Sequence, residues 1–187
     1  TAMRARLESY GVTKPLHVLP TGIPTSRFAR GDGAAFRARH GIPPDHPVAL
    51  FVGRVAHEKN IGFLLEAMVH TRRQCPDALL VVAGEGPARA DLQARVAPLG
   101  LTDAVRFIGY LDRRDALPDC YAAADVFAFA SRTETQGLVL LEAMAAGLPV
   151  VALSEMGTTD ILDAGRGAIS PPAIPQVFGE ALAQVLN

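Results

Sequence analysis

"VALFVGRVAHEKNIGFLLEA", Val48–Ala67, joins an apolar run to a charged loop and then to a segment with helical periodicity. The run Val48–Val52 is apolar without interruption, which is typical of a strand buried on both faces of a sheet. The loop begins at Gly53, and Asn60 is a favourable N-cap for the helix that follows. Apolar residues recur on one face of that helix, at Ile61, Leu64, Leu65, Met68 and Val69. The stretch predicts a strand–loop–helix unit of an α/β protein.

Four similar apolar runs follow along the chain. They are LLVVA from Leu79, VRFI from Val105, VFAFA from Val126 and VVAL from Val150. Counted from Val48, their starts lie 31, 26, 21 and 24 residues apart, a spacing that fits strand–helix–strand crossovers. The sequence therefore predicts a Rossmann-like, doubly wound parallel α/β sheet.

The first 45 residues have a different character. "KPLHVLPTGIPTSRF", 14–28, predicts a short strand and then a turn rich in proline and glycine, and a short basic helix follows before the first buried run. We assign residues 1–45 to the end of a preceding domain and its linker, and 46–187 to the sheet domain. The chain opens within a helical pattern, stops at a helix end and has no initial methionine, so we expect a domain of a longer protein.

Composition excludes several classes of partner and site. The net charge of −1 and pI near 6.5 provide no general attraction to nucleic acid, and no apolar stretch approaches the ~20 residues of a membrane span. Cys75 and Cys120 lack histidines at metal-ligand spacing, which favours two buried thiols in a cytoplasmic protein.

Two loops at the predicted carboxyl edge of the sheet contain candidate binding residues. Arg54 and Lys59 precede a helix N-terminus, where they either form a phosphate site or are solvated loop charges. "VAGEGPAR" places Gly84 and Gly86 after the second strand, but Arg89 stands where a dinucleotide fingerprint has its third glycine. A tight turn whose backbone approaches a ligand is therefore favoured over a nicotinamide site.

The most informative stretch is "SRTETQGLVLLEAMAAG", 131–147. Glu134 and the backbone amides of Thr135 to Leu138 are placed to bind a polyhydroxylated, anionic ligand at the start of a helix. Glu142 lies one turn into that apolar helix, where a buried carboxylate needs hydrogen-bond donors such as ligand hydroxyls. The alternative is a glutamate that points from a surface helix into solvent.

In combination these motifs resemble the C-terminal, nucleotide-sugar-binding half of family 4 retaining glycosyltransferases, which have the two-domain GT-B fold. "VLPTGIPTSRF", "LFVGRVAHEKNIGFLLEA", "LLVVAGEGPARADL", "VRFIGYLDRRDALPDCYAAADVFAFAS" and the Glu-x7-Glu stretch occur in the family's order. The resemblance implies transfer of a sugar from a nucleoside diphosphate sugar, with a UDP-sugar favoured, to an acceptor hydroxyl. It also implies that the N-terminal acceptor domain is a partner of this chain.

The resemblance assigns roles to individual residues. Arg54 and Lys59 match the pair that neutralises the leaving diphosphate, Glu134 matches the carboxylate beside the transferred sugar, and Glu142 matches the ribose ligand. The remaining expected contacts to the donor are Gly53, Gly84, Gly86, Ile108, Gly109, Tyr110, Thr135, Gln136, Gly137, Leu138 and Val139. Because no Asp-x-Asp motif is present, we expect neither a metal nor another cofactor.

Thr135 and Gln136 stand where many relatives have Gly-Phe, and this variant is similar to enzymes that glycosylate diacylglycerol-type lipids. It raises a glycerolipid or cell-envelope glycan as acceptor, with peripheral membrane association of the full-length protein. Three alternatives remain open: a glycoside hydrolase built on the carboxylate pair, a nicotinamide dehydrogenase, and a non-catalytic nucleotide-binding or interaction module. The sequence leaves the base, the sugar and the acceptor undetermined.

Overall fold

The computed structural model describes residues 2–112, 114–162 and 167–187. The strands are β1 Val48–Val52, β2 Leu79–Ala83, β3 Val105–Gly109, β4 Val126–Phe129, β5 Val150–Ala152 and β6 Ala168–Ile169. The helices are α1 Ala2–Ser9, α2 Thr25–Phe28, α3 Gly33–Arg39, α4 Ile61–Gln74, α5 Arg89–Val96, α6 Ala116–Ala122, α7 Leu138–Ala145, α8 Thr159–Leu162 and α9 Pro175–Leu186. Short 3-10 turns occur at His57–Lys59 and Met156–Thr158.

The strands form one parallel sheet in the order β3-β2-β1-β4-β5-β6. The strand order reverses between β1 and β4, which are hydrogen-bonded neighbours; Leu50 pairs with Val81 on one side and with Phe127 on the other. Ligands of doubly wound sheets bind beyond the carboxyl ends of the strands at such a reversal. The prediction of a Rossmann-like, doubly wound sheet is confirmed, and the strands predicted from the five apolar runs are all present.

The uninterrupted apolar runs are explained by burial on both faces of the sheet. Phe51, Phe127 and Phe129 are almost fully buried, and the ring of Phe129 stacks on the other two with centroids 5.9 Å apart. Helix α9 packs along α4, while α2 and α3 pack against α6.

Both thiols are free and buried, as expected. Desolvation and, to a smaller extent, the charge of Asp119 raise the pKa of Cys120. Within the described residues no helix is long and apolar enough to cross a bilayer.

The structure differs from the predicted elements in three places. No strand forms in residues 14–24, where the chain passes alongside the loop that precedes α7. The pattern of "ARADLQARVAPLG", 88–100, predicts a helix that ends at Gly100, whereas α5 ends at Val96. Strand β6 has only two residues, too few for any periodicity to be detected.

Helix α3 is tied to the amino edge of the sheet by Arg37. Its guanidinium donates hydrogen bonds to the carbonyl of Ala123 and to the carboxylate of Asp125, both at 2.8 Å. The same carboxylate accepts the backbone N–H of Val48 at 2.7 Å, where β1 begins. Phe28 and Phe36 are buried in the common core. The proposed domain boundary between residues 45 and 46 stays a prediction.

Candidate functional site

The carboxyl ends of β1, β2 and β3 are held together by backbone contacts. The N–H of Gly53 donates to Ala83 O at 3.0 Å, and the N–H of Gly84 donates to Gly109 O at 2.7 Å. A Cβ atom on Gly84 would overlap the carbonyl oxygen of Gly53, and Gly84 has a positive φ of 143°. Glycine is therefore required at position 84 by the neighbouring backbone itself.

Gly86 is constrained in a similar way by the loop that follows β1. A Cβ at this position would overlap the carbonyl of Val55, whose N–H donates to Glu85 O at 2.9 Å. Contacts between loops thus account for both glycines of "VAGEGPAR". That their backbone also approaches a ligand stays a prediction.

Arg89, the residue that departs from a dinucleotide fingerprint, links the loop after β2 to strand β3. It forms an ion pair with Glu85 and donates to the carbonyl of Phe107 at 3.2 Å. A Cβ on Gly109 would lie 2.9 Å from the carboxylate of Glu85. Beside this pair, Ile108 is half-buried and the side chain of Tyr110 is 72% exposed. The segment 108–110 is therefore partly exposed to solvent at the carboxyl end of β3.

Lys59 and Glu134 bring the loops after β1 and β4 together. Their side chains form an ion pair and are only 18% and 17% exposed. Arg54 is different, because it pairs with Glu58 and its side chain is 65% exposed. The crevice between β1 and β4 therefore has a partly buried cation–carboxylate pair, with a second cation at a more solvated position.

Asn60 occupies the expected boundary of α4 but does not cap it with its side chain. Its backbone is left-handed, with φ 55° and ψ 35°, and its side-chain amide donates to Ala130 O at 3.3 Å instead. The prediction of side-chain capping is wrong, because the left-handed backbone directs this side chain toward the end of β4.

The loop between β4 and α7 rests on a second loop, which sequence reasoning missed. The N–H of Gly157 donates to Glu134 O at 2.9 Å, and a Cβ on Gly157 would overlap the carbonyl of Thr135. Gln136 is anchored separately, donating through its side-chain amide to the hydroxyl of Thr21 at 2.9 Å. The glycine in "SEMGTT", just after the fifth predicted strand, is the signal that could have identified this support.

The start of α7 leaves backbone donors free beside Glu134. Gly137 has a left-handed backbone, and no side chain caps the helix. The N–H of Leu140 bonds to Gly137 O at 2.9 Å. In the described parts of the chain, no oxygen accepts the N–H groups of Leu138 or Val139. These amides and the helix dipole favour an anion at this end of the crevice.

Glu142 is buried within α7, with an exposed fraction of 2%. Its carboxylate accepts a hydrogen bond from the hydroxyl of Tyr121 at 2.9 Å. The alternative of a solvent-facing glutamate is therefore excluded. A buried carboxylate is tolerated here because protein donors stabilise it.

Comparison with known proteins identifies the family. Residues 32–187 match the model for glycosyl transferases group 1. The chain belongs to the group 1 glycosyltransferase family. It is 35% identical over 195 residues to a GDP-mannose-dependent alpha-(1-6)-phosphatidylinositol monomannoside mannosyltransferase of Mycolicibacterium smegmatis, covering 96% of this chain and 50% of the relative. It is 36% identical over 155 residues to an alpha-monoglucosyldiacylglycerol synthase of Streptococcus pneumoniae, covering 80% of this chain and 35% of the relative.

Solved glycosyltransferases share the fold of this group 1 domain. WaaG, a glycosyltransferase involved in lipopolysaccharide biosynthesis, superposes with a TM-score of 0.84 at 26% identity, over 98% of this chain and 51% of WaaG. Anabaena HepE, solved in complex with UDP, superposes with a TM-score of 0.81 at 22% identity, over 97% of this chain and 50% of HepE. The chain thus spans about half the length of these glycosyltransferases, and the expected resemblance to GT-B enzymes is confirmed.

The close contact between the loops after β1 and β2 can be tested by substitution of Gly84. We expect Gly84→Ala to lower the free energy of unfolding by at least about 2 kcal/mol, because the new methyl group meets a backbone carbonyl and the φ is strained for alanine. Urea denaturation measures the loss. Gly22→Ala is the matched control, since no heavy atom lies within 4 Å of its Cβ position, and it should change stability by less than about 0.5 kcal/mol. Equal effects of the two substitutions would contradict this account.

Proposed function

We propose that this chain is the donor-binding, C-terminal half of a retaining glycosyltransferase. The whole enzyme would move a sugar from a nucleoside diphosphate sugar to an acceptor hydroxyl that is bound mainly by its own N-terminal domain. The observation that carries the proposal is the Lys59–Glu134 contact across the crevice between β1 and β4, beside the free amides of α7. A cation, a carboxylate and helix amides together suit a ligand that has both phosphates and sugar hydroxyls.

The positive charge for the diphosphate would come from the protein. Lys59 offers three ammonium donors, so it can bind a phosphate oxygen while retaining Glu134 as a partner. Arg54 lies in the same loop at a more exposed position and would reach the diphosphate by leaving Glu58. The amides of Leu138 and Val139 would complete the site. We propose that these groups neutralise the leaving diphosphate without a metal or another cofactor.

In the proposed reaction, the bond between the anomeric carbon and the donor phosphate oxygen breaks. A bond forms from the same carbon to the acceptor oxygen with retained configuration, while the nucleoside diphosphate leaves with the bonding electrons and takes up the acceptor's proton. Positive charge develops on the sugar ring as the first bond lengthens. The carboxylate of Glu134 would accept sugar hydroxyls and stabilise that charge, and Lys59 would stabilise the diphosphate.

Glu142 would bind the ribose from below the same crevice. Its burial makes it a strong acceptor, because a desolvated carboxylate gains more from a hydroxyl donor than an exposed one. Ile108, Gly109 and Tyr110 would form the wall beside the base, which agrees with the exposure of Tyr110.

A UDP-sugar is the proposed donor, although the relatives named above differ in this respect. HepE contains UDP in its solved structure, whereas the relative from M. smegmatis is named as GDP-mannose-dependent. The proposed acceptor class is a glycerolipid or cell-envelope glycan. Thr135 and Gln136 support it, as do the two lipid-glycosylating relatives by name. A cytoplasmic enzyme with peripheral membrane association would follow from such an acceptor.

A thermal-shift panel of UDP-, GDP- and ADP-sugars tests the proposed donor class. A ligand that binds the folded chain at 100 times its Kd raises the free energy of unfolding by about 2.7 kcal/mol, so the best donor should raise Tm by several degrees. We expect the largest shift with a UDP-sugar. A larger shift with GDP-mannose would correct the base, and no shift with any nucleotide sugar would overturn the proposal.

The two loop cations should contribute unequally to diphosphate affinity. We expect Arg54→Ala and Lys59→Ala each to weaken UDP binding by roughly 1–3 kcal/mol. Lys59 should have the larger effect, since it is less exposed, and the Arg54 effect should decrease more as salt is added. Calorimetric titration measures both. Arg73→Ala, at the far end of α4, is the control, and unchanged affinity in both loop variants would mean that these charges are only solvated.

Substitution of Glu134 and of Glu142 should affect the affinities for UDP and for UDP-sugar differently. Glu142→Ala should weaken UDP and UDP-sugar equally, because both ligands contain the ribose. Glu134→Ala should remove only the extra affinity that the sugar confers, and should leave UDP affinity intact or increased because Lys59 loses a competing carboxylate. Titrating both variants with both ligands gives the comparison. Losses confined to the sugar nucleotide at both positions would show that these role assignments are wrong.

A further inference from the structure

Tyr121 lies beneath the proposed donor site and hydrogen-bonds to Glu142. The residue is on α6 and its side chain is fully buried. Its hydroxyl lies 2.9 Å from Oε2 of Glu142 and 3.5 Å from the carbonyl oxygen of Val139, one turn earlier on α7. The hydroxyl thus bridges α6 to the first two turns of α7, where the proposed ribose and diphosphate contacts begin.

The ring of Tyr121 is fixed by two aromatic neighbours from different parts of the chain. Phe28 meets it edge to face, with centroids 5.6 Å apart and an interplanar angle of 86°. Phe127 of β4 lies on another side, with centroids 5.9 Å apart. Edge-to-face packing of buried rings restricts their rotation, so the hydroxyl group has a defined position. The sheet and α2 together therefore determine where this donor points.

A fixed donor has a particular consequence for a buried carboxylate. Glu142 is on a helix, and its side chain would otherwise choose among several rotamers. The bond to Tyr121 favours the rotamer that places Oε2 2.9 Å from the tyrosine hydroxyl. In a desolvated site such a bond is stronger than in water, and misdirection of the carboxylate is more costly. Tyr121 thus contributes to the orientation of the Glu142 carboxylate from within the protein.

We propose that Tyr121 is a positioning residue for nucleotide recognition, which holds the Glu142 carboxylate in the orientation that accepts the ribose hydroxyls. The inference rests on the proposed function of Glu142 and adds to it a residue that does not touch the ligand. Preorganisation of this kind raises affinity because the ordering of the side chain is complete in the free protein.

Tyr121→Phe tests the proposal, because it removes the hydroxyl and keeps the ring between Phe28 and Phe127. The chain is titrated with UDP, GDP and ADP and with their 2′,3′-dideoxy forms, and the base that binds best is used for comparison. We expect affinity for the ribose form to fall about 2- to 10-fold, the scale of one hydrogen bond. Affinity for the dideoxy form should stay unchanged, since it lacks the hydroxyls that Glu142 would accept. Tyr10→Phe is the matched control, because it removes an exposed hydroxyl directly after α1. It should alter neither affinity.

A double-mutant cycle distinguishes failure of this inference from failure of the proposed function. If Tyr121 acts through Glu142, Tyr121→Phe should have no further effect in the Glu142→Ala background. Weaker ribose binding in Glu142→Ala with full affinity in Tyr121→Phe would overturn the inference and leave the proposed function standing. No ribose-dependent loss in Glu142→Ala would overturn the ribose assignment itself.

A purely structural role for Tyr121 predicts a different pattern. Tyr121→Phe would then lower Tm and weaken the ribose and dideoxy forms to the same extent, and that result would overturn the proposal. Phe28→Leu provides a second variant, which loosens the ring without removing the hydroxyl. It should give a smaller loss that is again confined to the ribose form, and a loss shared by both forms would count against the positioning role.

Discussion

In a parallel sheet all carboxyl ends lie at one edge, and the order of the strands decides which of them leave room for a ligand. Here β1 pairs with β2 on one side and with β4 on the other. The loops after β1 and β4 therefore border the crevice at which the strand order reverses. Lys59 and Glu134 come from those two loops and meet there. The other candidate residues lie on either side of this reversal of strand order between β1 and β4.

The edge is built by backbone contact more than by side chains. Gly84 and Gly86 let the loop after β2 lie directly on the loop after β1, and Gly157 does the same for the loops after β4 and β5. Arg89 and Glu85 add a tie to the end of β3. Rigid loop-to-loop contacts suit a binding site, since side chains placed on an ordered backbone lose less entropy when a ligand binds.

Charge in the crevice is graded by burial. Lys59 and Glu134 are mostly screened from solvent and therefore interact strongly, whereas the exposed pair of Arg54 and Glu58 is worth little to stability. A weak surface pair exchanges partners at small cost, and a partly buried pair keeps its geometry. Glu142 represents the buried extreme, where a protein hydroxyl from Tyr121 stabilises the carboxylate.

The sequence by itself determined the sheet, its parallel direction and the edge at which the candidate residues lie. Uninterrupted apolar runs at crossover spacing are a local pattern, and burial on both faces is their physical cause. The sequence also singled out Glu142, because a carboxylate in an otherwise apolar helix requires a partner. It could not detect β6, which is too short for periodicity, and it predicted a strand in 14–28 that has no place in the sheet.

Only the tertiary structure decided which side chains meet. The pairing of Lys59 with Glu134 joins residues 75 positions apart, and that of Tyr121 with Glu142 depends on how α6 packs beside α7. Asn60 is of a residue type that is favoured at helix N-caps, yet its left-handed backbone turns the side chain toward Ala130. Local propensity is set by a few neighbouring residues, whereas side-chain partners are set by packing between elements distant in the chain. For that reason the sequence placed the candidate residues at one edge of the sheet, whereas the fold decided which of them are in contact.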